Sequence, residues 1–115
     1  HAIMDALLGA ASLKDIGAHF PDNDNQYKNI DSKVLLKRVL DLLTENSWKI
    51  VNIDSIVCLQ NPKISSFIPE MQKQIALVLG VDTDRVNIKA TTTEKLGFVG
   101  KGEGVSAQAV CLITK

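Results

Sequence analysis

Residues 90–104 gather three threonines (Thr91, Thr92 and Thr93), Glu94, two lysines and four glycines into about one loop's length. They lie between two apolar strand-like runs, residues 86–89 and 105–113. Hydroxyls and glycine amides hydrogen-bond phosphate, lysine neutralises it, and a carboxylate holds a divalent cation against it. Glycine also lets the backbone approach a ligand closely. The chemistry on offer is capture of a phosphate with a metal ion. A plain connecting loop has the same composition. The segment is neither a Walker loop, since Gly100-Lys101 is followed by Gly102, nor a dinucleotide fingerprint, since no helix pattern follows it.

Other groups that could do chemistry stand further upstream. His1 opens a helical pattern, with Asp5 one turn later on the same face. Asp15, Asp22 and Asp24 punctuate a loop that lacks the spacing and closing Glu of a calcium hand. No activated Ser, Cys or His nucleophile is evident.

The elements that must carry these groups follow from hydrophobic period. Residues 2–13 are apolar nearly all round, which predicts a buried helix, and Gly17 suits a left-handed stop. A second helix, capped by Asp31 or Ser32, runs to about Asn46 with Val34, Leu35, Val39, Leu42 and Leu43 as its apolar stripe. Residues 48–59 read as a strand apolar on both faces: Val51, Ile53, Val57 and Leu59 on one, Trp48, Ile50, Ile56 and Cys58 on the other. A third helix covers residues 68–79, with Ile68, Met71, Ile75, Ala76 and Leu79 inward and Gly80 as its stop. Strands over 86–92 and 105–114 flank the opening loop. The order predicts an α/β (α+β) sandwich: a mixed β-sheet with helices on one face. The other apolar sheet face needs a cover, which a second subunit packing sheet against sheet would supply.

At 115 residues the chain has the size of one domain, 1–115. Its 13 basic and 13 acidic residues cancel, so no field draws nucleic acid or a membrane surface. Five aromatics are too few for a base-stacking platform. No apolar run approaches the roughly 18 residues of a membrane span. Cys58 and Cys111 sit in apolar runs and read as free buried thiols of a reducing compartment. The chain opens on His1 rather than Met, from which a missing N-terminal segment is expected.

Three segments together resemble the 2-C-methyl-D-erythritol 2,4-cyclodiphosphate synthases of the non-mevalonate isoprenoid pathway. They are residues 1–10 continuing into Asp15-Ile16-Gly17 and Phe20-Pro21-Asp22-Asn23-Asp24; Gln60-Asn61-Pro62-Lys63; and residues 90–104. The resemblance spans the whole chain. It implies a homotrimer with active sites between subunits, and a lyase reaction. In that reaction the substrate's terminal phosphate attacks the β-phosphate of 4-diphosphocytidyl-2-C-methyl-D-erythritol 2-phosphate and releases CMP. The protein's part is positioning and charge neutralisation.

Carried over residue by residue, His1 matches a zinc ligand, whose partner ligands, an upstream Asp-x-His pair, are absent from these 115 residues. Asp5 matches no ligand position; it would orient His1 or serve the helix dipole. Asp15, Ile16, Gly17, Phe20, Asp22 and Asp24 match segments that hold the methylerythritol portion. Leu59, Pro62, Lys63, Ile64 and Ser65 match the cytidine pocket. Thr91, Thr92, Thr93 and Glu94 match the diphosphate site, with Thr92 stabilising the transition state and Glu94 ligating Mg²⁺ or Mn²⁺. Phe98, Lys101 and Glu103 match a central trimer cavity that holds an isoprenoid diphosphate in some members, often with Arg where Lys101 stands. The implied cofactors are Zn²⁺ and Mg²⁺ or Mn²⁺. The implied setting is the bacterial cytoplasm or a plastid-type organelle. The second reading is a catalytically inactive trimeric fragment that binds cytidine nucleotides without zinc, and 115 residues alone are expected to bind zinc and turn over poorly. A third, outside the family, is a small structural interaction domain.

Overall fold

The computed structural model describes residues 1–115. Helix α1 (Ala2–Ala10) is apolar on every side but one, and Met4, Leu7 and Leu8 are buried. It ends earlier than the pattern suggests. The left-handed positions that turn the chain are Ser12 (φ 58°) and Lys14 (φ 70°), not Gly17. Gly17 instead lies inside a one-turn helix, α2 (Ile16–His19), whose cap is Asp15. A 3₁₀ turn over Asn25–Tyr27 then leads to α3 (Ser32–Glu45).

Asp31 caps α3, its carboxylate accepting from the Lys33 amide at 2.8 Å. The inward stripe is Leu35, Leu36, Val39 and Leu43. Val34, expected inside, is 45% exposed, because Leu36 takes the buried turn. Helix α4 (Ile68–Leu79) begins with Pro in its first turn and stops at Gly80, at φ 66°. Both signals are ones the residue types dictate.

Three strands form one sheet, mixed as expected, in the order β2-β1-β3. Strand β1 (Lys49–Cys58) pairs parallel with β2 (Val86–Thr91) and antiparallel with β3 (Ser106–Thr114). The β1–β3 register slips between Ile50 and Asn52. That extra residue corrects the simple alternation expected of β1: Ile50 and Ile53 both join the core beneath the helices.

The core joins α1, α3, β1 and the end of α4, with Leu7, Leu8, Val39 and Leu43 fully enclosed. A smaller cluster of Ala76, Val86 and Ile88 seats α4 on β2. The helices cover one face of the sheet. On the other face Val110 and Leu112 stand 66% and 59% exposed beside a Lys89–Asp54 ion pair of 2.7 Å. No helix is long and apolar enough to cross a membrane.

Between β2 and β3 lies one feature the residue pattern did not suggest, a one-turn helix α5 (Gly97–Gly100). It folds the loop back on itself.

Candidate active site

Parallel pairing decides where the first cleft forms. Cys58, the last residue of β1, pairs with Thr91, the last of β2, so both following loops leave the sheet side by side. Ligands of open α/β sheets bind outside such paired carboxyl ends. The Leu59 amide extends the ladder by donating to the Thr91 carbonyl at 2.9 Å. The resulting pocket, about 340 Å³, has Leu59, Gln60, Pro62, Lys63, Ile64 and Ser65 as one wall. Ala90, Thr91, Thr92 and Glu94 form the other. Two segments that are 30 residues apart in sequence thus face each other across one cleft.

The second wall is shaped by its own hydrogen bonds. The Glu94 amide donates to Thr92 Oγ1 at 3.2 Å, which leaves the Thr92 hydroxyl proton free for a ligand oxygen. Thr93 is engaged differently: its Oγ1 donates to the Leu96 carbonyl at 2.7 Å, and it does not line the cleft. Glu94 is exposed in the cleft beside the Thr91 and Thr92 hydroxyls. One carboxylate next to a phosphate site suits Mg²⁺ or Mn²⁺, which take one or two carboxylates plus substrate oxygens.

A second pocket, about 500 Å³, lies at the start of α1. It gathers His1, Ile16, Gly17, Phe20 and Asp22 with Tyr27, Asn29, Ile30, Ser32 and Leu35. Asp15 and Asp24 are not among its lining residues. Asp15 Oδ1 accepts from the Ala18 amide at 2.9 Å, as the cap of α2. Asp24 accepts from the side chain of Gln26 at 2.7 Å and from its amide at 3.1 Å. These bonds, the side-chain one foremost, hold its carboxyl below the ordinary carboxylate range. Asp5 has a third task. Its Oδ1 accepts from the Ile16 amide at 2.9 Å, so it fixes the 15–17 segment and makes no bond to the His1 ring.

The His1 ring nitrogen Nε2 instead lies 3.3 Å from Ser32 Oγ. The residue pattern offers Ser32 only as a helix cap. Once Asp31 takes that role, the Ser32 hydroxyl is free to face the pocket. No group of three or more His, Cys, Asp or Glu side chains converges anywhere in the chain. These residues therefore do not by themselves make a zinc site, which needs three or four such donors.

Phe98 and Lys101 belong to neither pocket. Phe98 is 56% exposed, and its ring lies so close over Gly104 that a β-carbon there would be 3.2 Å from it. Leu96 and Val105, at 72% and 63% exposure, share this apolar surface near α5.

Residues 1–114 match the YgbB family. The 2-C-methyl-D-erythritol 2,4-cyclodiphosphate synthase of Bacteroides fragilis is 56% identical over 115 residues, which are all of this chain and 72% of that protein. The enzyme of the same name from Pelotomaculum thermopropionicum is 58% identical over all of this chain and 71% of its own. Among solved structures, the bifunctional IspDF of Campylobacter jejuni superposes with a TM-score of 0.95 at 45% identity, covering 98% of this chain and 31% of that one. The Plasmodium falciparum IspF CDP complex gives 0.86 at 34% identity, covering 98% and 67%. The chain belongs to the 2-C-methyl-D-erythritol 2,4-cyclodiphosphate synthase family.

Proposed function

We propose that this chain carries the cytidine, diphosphate and methylerythritol subsites of a 2-C-methyl-D-erythritol 2,4-cyclodiphosphate synthase. The observation that carries this reading is the cleft at the paired ends of β1 and β2, with a Pro62-Lys63 wall facing a Thr91-Thr92-Glu94 wall. It is large enough for a nucleotide and rich in backbone and hydroxyl groups.

In the reaction an oxygen of the substrate's 2-phosphate forms a bond to the β-phosphorus. The bond from that phosphorus to the oxygen bridging it to the α-phosphate breaks, and CMP leaves with the bridging oxygen. No side chain bonds covalently to substrate. Residues 59–65 hold cytidine through the main chain, and Lys63 lies by the nucleotide. Thr92 donates its free hydroxyl proton to the diphosphate, where charge grows in the transition state, while the Thr91 hydroxyl, donating to the Thr92 carbonyl at 3.1 Å, holds the shape of that wall. The family is metal-dependent. Glu94 would hold Mg²⁺ or Mn²⁺ beside the diphosphate, where the ion would supply the neutralisation that makes CMP a better leaving group. His1 is one donor toward zinc; because the chain brings no complete donor set to it, no step here runs through zinc.

The two pockets share no residue within one chain. Substrate spans both ends in this reading, so a neighbouring subunit supplies the second half, in a homotrimer packed through the open sheet face. The exposed Val110 and Leu112 support that packing. Phe98 and Lys101 would then face a central cavity able to take an isoprenoid diphosphate. Two free cysteines and bacterial relatives support a bacterial cytoplasmic setting.

The test is calorimetry with CDP, CMP and GDP alongside turnover of a Thr92→Ala variant. CDP binds and GDP does not; Thr92→Ala lowers kcat about 10²- to 10³-fold while CDP affinity stays within about threefold. Equal affinity for CDP and GDP would refute the cytidine subsite. Full activity in Thr92→Ala would refute the role of its hydroxyl.

A further inference from the structure

Glu94 and Lys95 are consecutive non-glycine residues in the left-handed region, at φ 53° and 63°. That conformation strains a residue with a β-carbon, so a pair persists only where its surroundings hold it. Three contacts do so. The Glu94 amide is held by Thr92 Oγ1 at 3.2 Å. Gly100 is pressed so closely on the carbonyl side of Lys95 that a β-carbon on it would lie 2.2 Å from the Lys95 carbonyl carbon. The third contact crosses the cleft: the Lys95 amide donates to Gln60 Oε1 at 3.3 Å, across 35 residues of sequence.

Gln60 stands on the cytidine wall and Glu94 on the phosphate wall, with Lys95 directly behind Glu94 in the chain. Of the side-chain hydrogen bonds in the cleft, this is the one that joins the two walls. We infer that Gln60 is a positioning residue: its amide oxygen pins the Lys95 peptide and so sets the height of the Glu94 carboxylate over the diphosphate. The inference rests on the reading of this cleft as the cytidine-diphosphate subsite. It assigns Gln60 no contact with the base, which is met by the main chain of its neighbours.

The test compares Gln60→Leu, which keeps the size and loses the acceptor, with Gln60→Glu, which keeps an acceptor oxygen. Hydrogen exchange reads the Lys95 amide, and calorimetry reads CMP alone and CDP with Mn²⁺. In Gln60→Leu the Lys95 amide exchanges about tenfold faster, matching loss of one hydrogen bond. Affinity for CDP with Mn²⁺ falls threefold to tenfold while CMP affinity stays within about twofold. Gln60→Glu restores the Lys95 protection. Unchanged Lys95 exchange in Gln60→Leu, unchanged CDP–Mn²⁺ affinity, or CMP and CDP–Mn²⁺ falling by the same factor would each overturn the role. Failure of the unsubstituted protein to bind CDP or CMP is a separate result, and it would remove the subsite reading along with the inference.

Discussion

Replacing Gly100 with Ala should cripple turnover while leaving the core folded. A β-carbon at Gly100 would lie 2.2 Å from the Lys95 carbonyl carbon, 2.6 Å from its α-carbon and 2.8 Å from its carbonyl oxygen. Ordinary contact begins at 3.4 Å, so the two backbone strands of the loop must part by about 1.2 Å. All three atoms are main chain, so no side-chain rotation relieves the clash. Overpacking of this kind costs about 1–3 kcal/mol. The shift falls on the Lys95–Leu96 peptide and reaches Glu94 through the Lys95 α-carbon, and a misplacement of about 1 Å at reacting groups lowers rate on the order of 10²-fold. The assay is CMP release with the full substrate, with thermal unfolding followed on the same sample. The expected result is a kcat/KM about 10²-fold lower and a melting temperature a few degrees lower. A Gly100→Ala enzyme within threefold of the parent kcat/KM would refute the claim that Lys95 transmits loop geometry to Glu94.

Other sites give independent checks. Gly9 lies in α1 with nothing within 4 Å of an added β-carbon, so Gly9→Ala should raise stability by about 0.5–1 kcal/mol in urea unfolding. Leu7 is fully buried, and Leu7→Ala should cost about 3–5 kcal/mol by the same measurement. Hydrogen bonds from Lys89 and then Asn87 hold the Asp54 carboxyl below its ordinary value. Its contribution to stability is therefore full above the unfolded carboxylate pKa of about 4 and is lost as pH falls through the lower folded value. An Asp54→Asn variant should show a shallower loss of stability on acidification in that range. Burial raises the Cys111 thiol, so it should react with a maleimide at pH 8 more slowly than a free peptide thiol.

What was legible in the residues is what local period and local stops encode. Helix α4 came out over its full span because its apolar face repeats at helical spacing between Pro69 and Gly80. The mixed sheet followed from the order of elements. The bulge in β1 is hidden because its unpaired residue, Val51, is apolar and sits between Ile50 and Asn52 in what reads as ordinary strand alternation. The turn after α1 was misplaced onto Gly17 because Ser12 and Lys14 take left-handed backbone without glycine's freedom. Within the site, the resemblance points at both walls of the cleft, and the structure brings those residues together apart from Thr93. Asp15 and Asp24 show the limit: a carboxylate near a helix start looks the same in sequence whether it caps the helix or faces a ligand. The pairings of Ser32 with His1 and of Gln60 with Lys95 are invisible to local pattern, because the partners lie 31 and 35 residues apart.

The most direct measurement is phosphorus NMR of the intact protein that carries these 115 residues, incubated with 4-diphosphocytidyl-2-C-methyl-D-erythritol 2-phosphate, Mg²⁺ and Zn²⁺. The account predicts CMP and a cyclic diphosphate in equal amounts, the cyclic product showing two mutually coupled phosphorus signals, with no inorganic phosphate. Unchanged substrate, or CMP appearing with an open-chain bisphosphate formed by attack of water, would contradict it.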